Sequence, residues 1–522
     1  MREVLTPISR KVSRRKTTLW HLVFSYANIV HTVVAGLLMV PLYLRYIPVE
    51  LYGAWLASGN ILSWLMMVDP SISTVVLQRV GKSYGANDFE AVGCYAFGGI
   101  VLSGAIAMLL LLVGWLVSSY VPGWVNLSDP AQQVELSHNF LIAALASTIS
   151  LFAYAVGVVN LGLQGSFAHG MVFLLANLFS LASTVLLLFF GAGLAAITLG
   201  LLVRASIFFI GGLGYMLLRA SRESIRFRLR WTTLKELLGL MSFTSLGKIG
   251  SVLSRNMDAF LLARFIGPEV VPIFVLTRRG FNVAELLLTR TGNAIGPSLS
   301  HLAGEGDTTK MRAILRRLLL INFWLLGLAF AGFLAFNDDF VGLWVGPEFF
   351  AGFSVSTVLC CLMVTLILFT LLQTLCVALG DIKRNAVVQF VQAMVTFTCL
   401  LLGIYYMGIL GAALAPLVGF LSVSAWYYPK TIRRLAHLNK HDWSILLCNF
   451  LFSLSLGIAI GILGHLIPPV QSWALFVTAA TITATLYGFC MFVFRAEARE
   501  ELALLVSIIL CKLKKIPLRR RC

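Results

Sequence analysis

The sequence predicts an all-α polytopic membrane protein with about fourteen transmembrane helices, and three observations lead there. Of its 522 residues, 59% are hydrophobic and only 12% charged, with a mean hydropathy of +0.90; a soluble domain carries roughly 25% charged residues. Apolar runs long enough to cross a hydrocarbon core of about 30 Å recur along the whole chain. The basic residues gather in alternate connections between those runs, the pattern that sets orientation in a bilayer.

The runs lie near 18–44, 51–77, 92–120, 138–163, 169–190, 193–218, 236–263, 270–299, 313–336, 353–379, 385–406, 409–429, 444–466 and 472–494. The opening segment MREVLTPISRKVSRRKTTLW is basic. The apolar run behind it is too long for the core of a cleaved signal peptide, so it is read as the first membrane helix. Nine cysteines fall mostly inside runs, with no CxxC spacing. They read as small hydrophobes, with neither a disulfide framework nor a metal site.

Thirty-two of the forty Lys and Arg residues lie in the N-terminal segment, the C-terminal tail and alternate connections. The intervening connections carry only Arg45 and Arg264, read as interfacial anchors. Outer segments such as VPGWVNLSDPAQQVELSH and NDDFVGLWVGPEFFAG carry no basic residue. Both termini are therefore expected on the cytoplasmic side. The net charge of +18 then reports topology, and no nucleic-acid partner is expected.

The chain also repeats. RYIPVE begins at Arg45 and RFIGPE at Arg264, an offset of 219, and at the same offset GAND (85–88) matches GEGD (304–307). These blocks join helices one and two, and helices seven and eight. Two pseudo-symmetric six-helix lobes follow, related by an axis along the membrane normal. The expected divisions are 1–220 for helices 1–6, 221–440 for helices 7–12, and 441–495 for two additional helices. Residues 496–522 form a cytoplasmic, amphipathic, basic tail.

Six cations remain inside runs: Arg204, Lys248, Arg255, Arg278, Arg279 and Arg290. On the seventh run Thr244, Lys248, Ser251, Arg255 and Asp258 fall on one helical stripe. On the eighth, Arg278, Asn282, Glu285, Thr289 and Asn293 form another, flanked by Arg279 and Arg290. Antiparallel packing would bring Arg278 and Arg279 to the depth of Arg255, and Arg290 to that of Lys248. A charge at mid-bilayer costs about 2.5–3.5 kcal/mol on insertion scales. The in-span acids Asp69, Asp258 and Glu285 number three fewer than the cations, so internal pairing cannot neutralise them all. A wet cavity facing an anionic ligand would. Lys248, Arg255, Arg278, Arg279 and Arg290 are its candidate ligands, with Asp258 and Glu285 as tuning or coupling acids. The blander readings are an i,i+3 pair between Arg255 and Asp258, and a carbonyl or headgroup partner for Arg204.

The first run offers His21, Ser25, Asn28 and Thr32 on one stripe, with His31 beside it and no acid. The two histidines are candidates for titration or for structural hydrogen bonding. Asp69, before Pro70, either binds a coupling cation or caps a half-helix, the cap being favoured. Enzyme signals are absent: there is no HExxH, P-loop or GxSxG, and no outer loop exceeds about eighteen residues.

YIPVELYGAWLASGNILSWLMMVDPSISTVVLQRVGKSYGAND resembles the opening region of polysaccharide flippases, and NMDAFLLARFIGPEVVPIFVLTRR resembles the entry to their second lobe. Pro48 and Pro70 depart from the family pattern, where glycine is usual, which puts the local turn geometry in question. The resemblance is to the multidrug/oligosaccharidyl-lipid/polysaccharide (MOP) exporter superfamily. It implies MATE-like lobes around a V-shaped cavity, alternating access, and undecaprenyl-diphosphate-linked glycan as cargo. It also implies that cavity cations, here Arg278 or Arg279 and by stripe Lys248 and Arg255, meet the diphosphate. Fourteen helices are similar in number to the peptidoglycan-precursor (lipid II) flippase branch, where the extra pair makes a groove for the lipid tail.

The expected function is therefore a non-enzymatic flippase in the bacterial inner membrane, moving a lipid-linked O-antigen or exopolysaccharide repeat unit. No cofactor is expected beyond a coupling ion, H+ or Na+. A polysaccharide polymerase and other assembly proteins are candidate partners. The alternatives are a lipid II flippase, a MATE-type multidrug antiporter, disfavoured by the acid-free first span, and a membrane-embedded glycosyltransferase or ligase, disfavoured by the missing catalytic loop.

Overall fold

A computed structural model describes residues 14–66, 72–240, 257–289, 308–466, 468–501 and 503, and these are helical with no β-strand among them. The first helices are α1 (Arg14–Tyr46), α2 (Val49–Met66), α3 (Ile72–Gly85), α4 (Phe89–Ser118), α5 (Val121–Trp124), α6 (Pro130–Gly162), α7 (Ser166–Phe189) and α8 (Ala195–Arg222). After them come α9 (231–240), α10 (Asp258–Phe265), α11 (Val270–Thr277) and α12 (279–289). The rest are α13 (Thr308–Trp344), α14 (Phe353–Ala378), α15 (Ile382–Met407), α16 (Ile409–Gly419), α17 (Ala425–Leu435), α18 (Lys440–His465) and α19 (Trp473–Phe494).

Eleven helices among the described residues are long and apolar enough to cross a membrane. They coincide with eleven of the apolar runs. The other three runs, 51–77, 236–263 and 270–299, each include residues outside the described set. Helices outlast the runs where charge begins: α13 extends back through Lys310 and Arg312 at one end and through Asp338 and Asp339 at the other. Their boundaries are set by caps. Asp88 accepts the Ala91 N–H at 3.0 Å to start α4, Asp129 accepts that of Ala131 at 3.0 Å before Pro130 starts α6, and Asn439 with Asp442 forms a capping box on α18. Between α16 and α17, after Pro416, the helix widens into a π-turn at Phe420–Ser424.

The chain forms two compact units. One comprises Met1–Val275 with Gln389–Ala412; the other comprises Leu276–Val388 with Ala413–Cys522. In the first, α6 is the central helix, 61% buried along its core window against 22% for α7. Val76, Val92, Val159, Met216 and Leu237 close a core between α3, α4, α6, α8 and α9. Ion pairs tie one end of this unit together: Arg79 to Glu236 at 2.6 Å, Arg219 to Glu223 at 2.6 Å, and Arg230 to Glu90. Tyr95 donates to Glu236 at 2.9 Å.

The first unit also contains both repeated turns. Tyr46 and Phe265, equivalent at the offset of 219, each end a helix. The turns themselves differ: Pro48 stands where Gly267 adopts φ +147, a conformation closed to proline. Helix α2 packs against α10. A Cβ on Gly53 would lie 1.8 Å from the Pro268 carbonyl oxygen and 2.9 Å from Cδ of Pro272, so only glycine fits.

In the second unit, α13 and α14 are central, and α18 and α19 pack on α13. Small residues on α18 make the approach possible. A Cβ on Gly457 would meet the Gly327 carbonyl oxygen at 2.5 Å, and one on Gly464 the Ala335 Cβ at 2.5 Å. Ser453 donates to the Phe323 carbonyl at 2.6 Å, and Tyr487 to that of Trp324 at 2.9 Å. Gly457→Val is expected to push α18 off α13 and lower the unfolding midpoint in detergent, an overpacking cost of about 1–3 kcal/mol. Gly488→Val, where an added Cβ meets nothing within 4 Å, is the matched control and should leave the midpoint unchanged.

Candidate functional site

The second unit's candidate site starts where helix α11 ends. Thr277 is fully buried and sits at the junction of three segments. Its hydroxyl donates to the Phe349 carbonyl at 3.2 Å and accepts the Ala351 N–H at 2.9 Å. Its carbonyl, one of those left over at a helix end, accepts Asn337 Nδ2 from α13 at 3.1 Å. Asn337 Nδ2 also donates to the Ser356 hydroxyl at 3.0 Å. The chain turns at Arg278 and resumes as α12, with the Asn282 N–H donating to the Arg278 carbonyl at 3.1 Å. Gly280 lets α12 lie close to α13: an added Cβ would meet the Phe333 ring at 3.3 Å.

This break sets the arginines. The Arg278 guanidinium carbon lies 4.8 Å from the centroid of the Phe281 ring, itself fully buried, a cation–π geometry. The side chains of Arg278 and Arg279 are half-buried, with their Nε atoms shielded from solvent. Glu285 follows on α12, also half-buried, and Thr289 donates to its carbonyl at 2.7 Å. The eighth run is therefore not one continuous helix. Its stripe begins on the turn, and Thr277 and Asn337 hold that turn.

The other predicted residues are placed as follows. Asp258 begins α10 and accepts the Ala259 N–H at 2.9 Å. Lys248, Arg255, Arg290 and Asp69 lie outside the described residues, as does the side chain of His21. Arg45 and Arg264 are exposed. Arg45 lies 5.8 Å from the Tyr46 ring, and Arg264 donates to the Gly123 carbonyl at 3.3 Å.

His31 belongs to a separate polar group in the first unit. Asn28 on α1 accepts Asn177 Nδ2 from α7 at 2.9 Å and donates to the Phe24 carbonyl at 2.8 Å. His31, half-buried, follows Asn28 by three residues on α1, within electrostatic reach of Arg204 on α8. Aromatic contacts register α1 on α7: the Trp20 and Phe167 rings meet edge-on at 4.9 Å, and Phe24 covers Gly170. Asn177, Thr277 and Asn337 escaped the sequence reading. Asn177 and Thr277 are polar residues inside apolar runs and Asn337 directly follows one, a detectable signal, but the partners lie on other segments.

A MatE family model matches residues 34–186. No curated protein matches the sequence. Among solved structures, the lipid II flippase MurJ in an inward closed conformation superposes with a TM-score of 0.64 at 13% identity, covering 90% of this chain and 99% of that one. The fold is that of MurJ and the MATE transporters. An inward-facing multidrug resistance MATE family transporter of the MOP superfamily gives 0.62 at 12% identity, covering 78% and 94%. A MOP superfamily transporter from Pyrococcus furiosus, described as having a binding pocket of reversed polarity, gives 0.58 at 13%, covering 81% and 95%.

Asn337→Leu should leave the buried Thr277 carbonyl without its amide donor, a loss of about 1–3 kcal/mol. A lowered unfolding midpoint in detergent is the expected result, and an unchanged midpoint would show that Asn337 does not hold the turn.

Proposed function

We propose that the protein is a flippase that carries an undecaprenyl-diphosphate-linked oligosaccharide, an O-antigen or exopolysaccharide repeat unit, across the bacterial inner membrane by alternating access. The observation that carries this reading is the pair Arg278 and Arg279 at a built helix break inside an apolar unit. Guanidinium groups bind phosphate through paired, charge-assisted hydrogen bonds. Two of them at consecutive positions of the turn suit a diphosphate better than an organic cation. Lys248, Arg255 and Arg290 complete the proposed ligand set by their sequence stripes. Asp258 and Glu285 tune it or bind a coupling ion, H+ or Na+. His31 with Arg204, and also His21 and Asp69, are secondary candidates for coupling. The termini face the cytoplasm in this reading, and a polysaccharide polymerase and other assembly proteins are its partners.

Transport rather than catalysis is supported by the fold, since the similar structures are those of a flippase and transporters. One further observation favours a second cargo, lipid II: MurJ covers 90% of this chain, the MATE transporter 78%. Complementation separates the two. Restored surface polysaccharide in a deletion strain supports the first cargo, and rescue of cells depleted of their lipid II flippase supports the second.

Reversing charge with Arg278→Glu and Arg279→Glu together is expected to abolish surface polysaccharide while the protein remains at normal abundance in the membrane. Normal polymer from that variant would overturn the phosphate role. Arg45→Ala, at an exposed position, should retain most of the polymer, and an equal loss there would mean that anchors and ligands have been confused.

A further inference from the structure

A cleft of about 510 Å³ opens in the first unit where α4 ends, α5 turns and α6 begins. Its volume lies within the roughly 300–1,000 Å³ usual for small-molecule sites. The segment around it is VPGWVNLSDPAQQVELSH, an expected outer connection with no basic residue. Nothing in the phosphate reading uses this region.

The walls have a distinctive chemistry. Tyr120 and Trp124 are 64% and 40% exposed, with their rings stacked at 6.4 Å and 23°. Ser119, Gln133, Ser137 and His138 add hydroxyl, amide and imidazole groups. No Lys, Arg, Asp or Glu lines the cleft. Such a lining disfavours a phosphate, which would call for cations, and its polar groups disfavour an alkyl chain. Exposed aromatic faces beside neutral donors and acceptors fit a hydroxyl-rich ring with one apolar face. Interfacial aromatic belts explain Trp and Tyr on lipid-facing surfaces, but they do not require a polar cleft.

The cleft is also preformed. The Leu127 N–H donates to the Pro122 carbonyl at 3.1 Å, and Gln133 Nε2 to that of Leu127 at 2.7 Å. Asp129 caps α6, and Glu50 accepts the Ser128 N–H at 3.3 Å. Arg264 reaches the Gly123 carbonyl at 3.3 Å from outside the lining, so its charge braces the turn. Ligands bind better to a site already ordered.

We infer that this cleft binds the uncharged sugar rings of the cargo on the outer side of the membrane, stacking them on Tyr120 and Trp124. The inference rests on the flippase reading for the origin of the sugar, and its test keeps the two apart.

The test uses the full-length protein in detergent, observed by saturation-transfer NMR. The probes are neutral oligosaccharides freed from the cell's own surface polysaccharide by mild acid, and glycerol 3-phosphate as a headgroup mimic. The wild type should show saturation of the oligosaccharide and none of the phosphate. Tyr120→Ala with Trp124→Ala should weaken binding by about tenfold or more, the scale of losing an aromatic anchor. Tyr120→Phe with Trp124→Phe keeps two rings, controls for folding, and should retain most of the binding. Absence of oligosaccharide binding to the wild type, undiminished binding to the double alanine variant, or stronger binding of glycerol 3-phosphate would each overturn the cleft assignment. The Arg278→Glu and Arg279→Glu variant should still bind the oligosaccharide. If it also makes normal polymer, the phosphate reading fails and the cleft stands. If it makes none while the wild type binds no sugar, the cleft fails and the phosphate reading stands.

Discussion

In hydrocarbon every backbone N–H and C=O needs a partner within the protein, and the candidate site depends on how that demand is met at Thr277. Asn337 donates to the Thr277 carbonyl and the Thr277 hydroxyl bridges to Phe349 and Ala351. The helix can therefore turn at Arg278 without stranding backbone groups. Side-chain donors also reach main-chain carbonyls within neighbouring helices. Asn160 donates to the Gly212 carbonyl, Ser180 to that of Gly200, and Ser453 to that of Phe323. Interhelical hydrogen bonds in membranes average only about 0.6 kcal/mol. Their contribution is registration: each fixes which turn of one helix faces which turn of its neighbour.

Glycine makes that registration reachable. Ser453 sits close to α13 because Gly327 offers no side chain there, and Gly457 and Gly464 continue the approach. A bilayer supplies little hydrophobic drive between helices, so close packing at small residues carries the association. The first unit works similarly around α6, while its ion pairs Arg79–Glu236 and Arg219–Glu223 fasten one end. The surroundings of Arg278 are of another kind: it stands at a helix break with its guanidinium over the buried Phe281 ring.

Periodicity and hydropathy made the membrane helices legible because each such helix is a local property of twenty or so residues. The stripe through Arg278, Asn282 and Glu285 was likewise visible. The turn at its head was not, because the cause lies on α13: Asn337 is about sixty residues away, and its role exists only after packing. Asn28 and Asn177 illustrate the same limit, their hydrogen bond existing only once α1 is seated on α7, where Phe24 covers Gly170. Helix ends were misjudged for a different reason. Hydropathy marks where the apolar core stops, whereas helical hydrogen bonding continues through Lys310, Arg312 and Asp339 into the polar zone.

The contact of Gly53 with Pro268 and Pro272 also constrains exchange between the two similar turns. Gly53 and Pro272 stand at equivalent positions of the 219-residue offset, and they touch. The pair is therefore asymmetric by necessity: a proline at 53 would drive its ring into the Pro268 carbonyl, whereas a glycine at 272 would only open space beside Gly53.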